Sequence, residues 1–204
     1  MYQAIKNFAQ QFLYQPKIVN VEKLKKRDKF IVCGMGGSLH AHDLLKVWNP
    51  GLNSLGHRDY GLPLLPKKDL AQSLIILSSY SGNTEETLDA FYIAKRKKLA
   101  MAAISTDGKL LELAKKEKIP YVQIPATGIE PRLALGFSIR AMMCLMKEEK
   151  GLQETATLAK TLVPLEQELA GEHLAKQLQG FIPLIYTSTH NGALGNCWKI
   201  KFNE

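Results

Sequence analysis

The stretch Ser78–Thr87, SSYSGNTEET, packs five aliphatic hydroxyls, one glycine and two glutamates into ten residues, directly after the apolar run LIIL. Ser79, Ser81 and Thr84 can each donate to an anion's oxygens, and Gly82 lets backbone N–H groups approach a ligand. If a helix starts at Thr84, its N-terminus adds free amides and a favourable dipole, which suits a phosphate monoester without any lysine. A plainer reading is also open. Asn83 followed three residues later by Glu86 matches a capping box, which would use part of this polarity to start the helix.

A second loop of interest is GMGGS at 34–38, again after an apolar run. Gly34 and Gly36 begin a dinucleotide fingerprint, but Leu39 occupies its third glycine position, and no Gly-Lys-Ser/Thr follows to make a phosphate-binding P-loop. His40 and His42 stand two apart on the following helix, so they point to different faces and read as solvated or core-edge histidines, not as a metal pair. Cys33, Cys144 and Cys197 show no metal or disulfide spacing and read as buried, reduced thiols.

These loops need elements to hold them. Apolar runs alternate with helical patterns from residue 29: strand then glycine loop KFIVCGMGG, helix SLHAHDLLKVW, strand LAQSLIILSSYSG, helix NTEETLDAFYIAKRKKL, strand AMAAIS, helix KLLELAKKEK, strand YVQIPA and helix PRLALGFSIRAMMCLMKEEK. This order predicts βαβ units and a mainly parallel sheet covered on both faces. Beyond it come a helix over 151–178 broken near Pro164, a fifth strand FIPLIYTS, and a helix from Asn191 to the end. In GFSIRAMMCLMK the broad apolar face fits core packing or a partner surface. The first 16 residues read as an amphipathic helix and not as a secretory leader, because no continuous apolar core is present.

With 204 residues, 46% of them hydrophobic and 23% charged, the chain can bury a sizeable globular core. No apolar stretch approaches the roughly 20 residues of a membrane span. The net charge of +8 comes largely from KLKKR at 23–27, KRKK at 95–98 and KKEK at 115–118, each expected at a helix end. No aromatics interleave them, so nucleic acid is not an expected partner.

Taken together, GMGGS, SSYSGNTEET, EPR at 130–132 and the terminal WKIKFNE resemble the sugar isomerase (SIS) domain superfamily, and within it the bifunctional phosphoglucose/phosphomannose isomerases. The resemblance implies an SIS-type α/β fold: a doubly wound, mainly parallel five-stranded sheet in a three-layer α/β/α stack. It covers the chain from about residue 30, so the expected organisation is an N-terminal helical segment over 1–28 and an SIS domain with helical extension over 29–204. It assigns Gly36, Gly37 and Ser38 to the sugar, Ser79, Ser81 and Thr84 to the phosphate, Arg132 to stabilising an enediolate, and Glu204 to the catalytic base. It implies aldose–ketose isomerisation of sugar phosphates without metal or other cofactor, in a cytoplasmic homodimer with no membrane partner. Family members continue into a second SIS domain, with a histidine for ring opening. The 204 residues are therefore expected to bind the phosphate with little or no turnover alone. A non-catalytic sugar-phosphate-binding SIS module is the alternative.

Overall fold

A computed structural model describes residues 1–203. In chain order it contains α1 (Tyr2–Lys6), β1 (Ile18–Val19), β2 (Lys29–Cys33), α2 (Gly37–Trp48), β3 (Ser54–His57), α3 (Lys67–Gln72), β4 (Ser73–Ser78), α4 (Glu85–Arg96), β5 (Met101–Ser105), α5 (Gly108–Lys116), β6 (Tyr121–Gln123), α6 (Leu135–Met146), α7 (Glu149–Thr161), α8 (Glu168–Leu178) and α9 (Gly192–Asn203). A 3-10 turn at Pro131–Leu133 precedes α6.

The sheet order is β1-β6-β5-β4-β2-β3, parallel except for β1 against β6. Residue parity along each strand decides which layer a side chain joins. Phe30, Val32, Leu74, Ile76, Ile104 and Val122 meet α2 and α6, while Ile31, Ile75, Leu77 and Ala103 meet α3, α4 and α5. All six residues of β4 are buried, as expected of a strand covered on both faces. This is the three-layer, mainly parallel α/β/α fold expected.

Local differences have physical causes. β1 and β3 have only two and four residues, too few for a period to emerge from the sequence, so the sheet has six strands among the described residues. The N-terminal helix stops at Lys6 and continues as a 3-10 turn over Phe8–Leu13, which buries Ala9, Gln11 and Phe12. The run 181–188 is not a strand. β-forming side chains make a strand only where a neighbour completes the hydrogen-bond ladder, and among the described residues none does so here. Phe181, Ile182 and Tyr186 stay 72%, 90% and 89% exposed. KLKKR follows a three-residue 3-10 turn, Val21–Lys23, so no helix dipole accounts for it. KRKK and KKEK do close α4 and α5.

The apolar face of α6 is core: nine of its 12 residues are buried. Arg140, also buried, donates to the carbonyls of Tyr14 (2.6 Å) and Leu152 (2.9 Å) and so knits the N-terminal segment, α6 and α7 together. Cys33 is buried, and burial pushes its thiol up to about 12; Cys144 and Cys197 are half-buried. Among the described residues no helix is long and apolar enough to cross a membrane.

Candidate active site

From β2 the chain runs outward to β3, then returns to β4 on the other side of β2 and continues to β5 and β6. The C-terminal ends of β2 and β4 are thus neighbours whose following loops diverge, which is where open α/β sheets bind ligands. GMGGS leaves β2 and SSYSGNT leaves β4, so both loops stand at this switch point.

Ser38 staples the two loops together. Its Oγ accepts from the Tyr80 N–H at 3.0 Å, and its carbonyl accepts from Ser78 Oγ at 2.9 Å. On the other flank Gly37 backs onto the EPR turn: a Cβ at Gly37 would lie 3.2 Å from both Arg132 N and Pro131 C. The first loop therefore sits between the serine loop and the arginine turn, and no larger residue fits at position 37 without displacing one of them. Gly36, beside it, is exposed and has a φ of +48°.

In the second loop, Ser79 is buried and shares a 2.8 Å hydrogen bond with Thr84 Oγ1, while its Oγ also accepts from Gly82 N at 3.0 Å. Ser81 is exposed and accepts from Asn83 N at 3.2 Å. Thr84 is the N-cap residue of α4 but makes no side-chain capping bond. The capping box expected of Asn83 and Glu86 is absent. Asn83 Oδ1 instead accepts from Lys109 N at 3.0 Å, in the first turn of α5. Glu85 takes the Tyr60 hydroxyl at 3.0 Å. The first-turn amides of α4 thus face the hydroxyl corner without a side-chain cap.

Residues that sequence reasoning passed over brace this corner. Thr106 donates to the Tyr80 carbonyl from N (3.1 Å) and from Oγ1 (2.7 Å), Gln123 Nε2 holds the Thr106 carbonyl at 2.9 Å, and Leu110 N holds the Gly82 carbonyl at 2.8 Å. The available signal was a Ser-Thr pair closing the apolar run of β5, as Ser-Ser closes β4.

Arg132 lies in the 3-10 turn, its side chain only 14% exposed, with Nη1 4.0 Å from Glu130 Oε2. Glu204 lies outside the described residues. His40 and His42 are both buried, not solvated, and each approaches a different oxygen of Asp43, at 3.7 and 3.3 Å; His42 Nε2 also lies 3.0 Å from Ser54 Oγ on β3. Arg58 pairs with the same carboxylate. Burial would raise the Asp43 pKa, but the His42 hydrogen bond, the nearby His40 ring and the Arg58 guanidinium outweigh it and hold the carboxyl well below the usual range. Among the described residues no three His, Cys, Asp or Glu side chains are grouped to hold a metal.

No family model matches the chain. It is 30% identical over 213 aligned residues to the bifunctional phosphoglucose/phosphomannose isomerase of Aquifex aeolicus, covering 100% of this chain and 63% of that protein. It is 35% identical to the protein of the same name from Caldicellulosiruptor bescii, over 91% of this chain and 58% of that one. The chain thus spans about three-fifths of the length of these curated relatives. In three dimensions it resembles the tagatose-6-phosphate ketose/aldose isomerase of Escherichia coli, with a TM-score of 0.66 over 98% of this chain and 62% of that one, at 16% identity.

Proposed function

We propose that the chain, as a relative of the bifunctional phosphoglucose/phosphomannose isomerases and a member of the SIS superfamily, carries the phosphate-holding half of an aldose–ketose isomerase site. The substrates are glucose 6-phosphate, fructose 6-phosphate and mannose 6-phosphate. The observation that carries the proposal is the 79–84 corner: Ser79 and Thr84 share a hydrogen bond where α4 begins, Ser81 holds the Asn83 amide beside them, and no side chain caps the helix.

The phosphate dianion binds there through hydroxyls and amides, and the sugar chain extends along Gly36–Ser38 towards the arginine turn. Isomerisation moves a carbonyl between C1 and C2. Glu204 takes the proton from C2 of the open-chain aldose and returns it to C1, while the proton on O2 passes to O1. Between these steps the substrate is an enediolate, whose oxyanion Arg132 stabilises. Every atom shuttled belongs to substrate or side chain, so no cofactor takes part. The working protein is a cytoplasmic homodimer. These 204 residues alone are expected to bind the phosphate with little or no turnover.

Calorimetry tests this with fructose 6-phosphate against unphosphorylated fructose, on the chain and on a Ser79→Ala, Ser81→Ala variant. Expected is binding that requires the phosphate and weakens at least tenfold in the variant, because two neutral hydroxyl donors are lost. Equal binding of both sugars, or an unaffected variant, overturns it.

A further inference from the structure

The turn Pro131–Leu133 is held in an unusual way. Its own amides are used internally, Leu133 N donating to Glu130 O (2.8 Å) and Ala134 N to Pro131 O (3.2 Å). Gly136 N, a first-turn amide of α6 with no partner in its own helix, goes to the buried Gln11 Oε1 at 2.9 Å. Gln11 Nε2 in turn takes the Leu133 carbonyl at 2.6 Å. The Arg132 carbonyl accepts from Lys201 Nζ, at 2.6 Å, from the last turn of α9.

The two restraints differ in kind. Gln11 is 4% exposed and belongs to the core of the domain. Lys201 arrives on a helix with no buried residue, so the seating of α9 has no core of its own behind it. With Ile5, Phe8, Leu133, Leu135 and Leu162, Lys201 also lines an apolar cavity of about 570 Å³ beneath the turn. An ammonium donating to a peptide carbonyl fixes the orientation of that peptide plane, and with it the direction in which Arg132 leaves the backbone.

We propose that Lys201 is a positioning residue that couples the seating of α9 to the placement of the Arg132 guanidinium. The inference rests on the isomerase reading above, and it makes α9 the element that tells the arginine turn whether the C-terminal extension is in place. The bond is solvent-exposed, so its effect is modest; a misdirected guanidinium nevertheless weakens contacts made at the reacting carbons far more than contacts at the distant phosphate.

The test compares two probes on the full chain by calorimetry: inorganic phosphate, which needs only the 79–84 corner, and arabinonate 5-phosphate, whose carboxylate copies the charge and planarity of an enediolate. Wild type is expected to prefer the aldonate phosphate. Lys201→Met is expected to lose about five- to tenfold of that preference, with phosphate affinity unchanged within twofold, and Lys201→Arg to restore it. Parallel loss of both affinities, no loss of either, or a loss that Lys201→Arg does not restore overturns the positioning role and leaves the phosphate corner standing. A wild type that binds phosphate without preferring the aldonate also overturns it, since Arg132 then does not meet the carboxylate. A wild type that binds neither probe overturns the proposed function and this inference together.

Discussion

Ser79, Gly82 and Thr84 form a unit in which the hydroxyls are already tied to each other and to backbone before any anion arrives. Gly82 is its weak point. Its φ is +73°, and a Cβ there would lie 1.8 Å from the Asp107 carbonyl, inside any contact distance. Gly82→Ala is expected to cost about 2–4 kcal/mol of stability, from the left-handed backbone and the backbone clash, and to abolish sugar-phosphate binding; a chemical-denaturation midpoint near wild type would contradict this. At this scale the position of the two loops was legible, since residue type pointed to 34–38 and 79–84 while the resemblance alone added Arg132, and the fold brings those segments to one end of the sheet. The use of Asn83 was not. Which amide an asparagine reaches depends on the neighbouring element, here α5, and nothing in SSYSGNTEET records that α5 lies alongside. The same holds for His40 and His42, whose helix positions were readable but whose shared carboxylate depends on local rotamers.

The helices end in a way that composition conceals. Lys98, Lys118 and Lys147 follow α4, α5 and α6 with φ of +54°, +51° and +63°, and the next residue in each case bonds back five positions: Leu99 N to Ala94 O, Ile119 N to Ala114 O, Glu148 N to Met143 O. These are Schellman ends with lysine where glycine is usual. The basic clusters KRKK and KKEK therefore gain from the helix dipole but lose through left-handed backbone. Lys118→Gly is expected to stabilise by about 0.5–1 kcal/mol, and the triple change at 98, 118 and 147 to raise the melting temperature by several degrees. A lower melting temperature in the triple variant would show that the lost charges outweigh the backbone relief. Sequence periodicity found these helices because their buried faces recur every three to four residues. It found neither β1 nor β3, whose pairing with longer strands, and not their own pattern, makes them strands.

As a whole the molecule divides at about residue 161. Up to there, two apolar layers enclose the sheet; beyond it neither α8 nor α9 has a buried residue, and 181–188 carries its apolar side chains into solvent. Contiguous exposed apolar surface of this kind drives association. Sedimentation of the chain is expected to show concentration-dependent oligomers that Ile182→Lys with Tyr186→Lys shifts to monomer, without change in phosphate binding. Monomer at all concentrations in the unmodified chain would refute the idea. The sequence misassigned this segment because β propensity is local, whereas the presence of a partner strand is a property of everything around it.

The contact at Gly82 is reciprocal, and this has a bearing on how such a site can be inherited. A Cβ at Gly108 would lie 2.3 Å from the Ser81 carbonyl, just as one at Gly82 would strike Asp107. Each loop is thus the mould of the other. A βα unit carrying either loop cannot be exchanged alone by recombination between related genes, since the graft would meet a neighbour shaped for a different partner. The smallest transferable piece is the stretch from β4 to α5, and sequence drift at 81–83 is expected to be answered at 107–109.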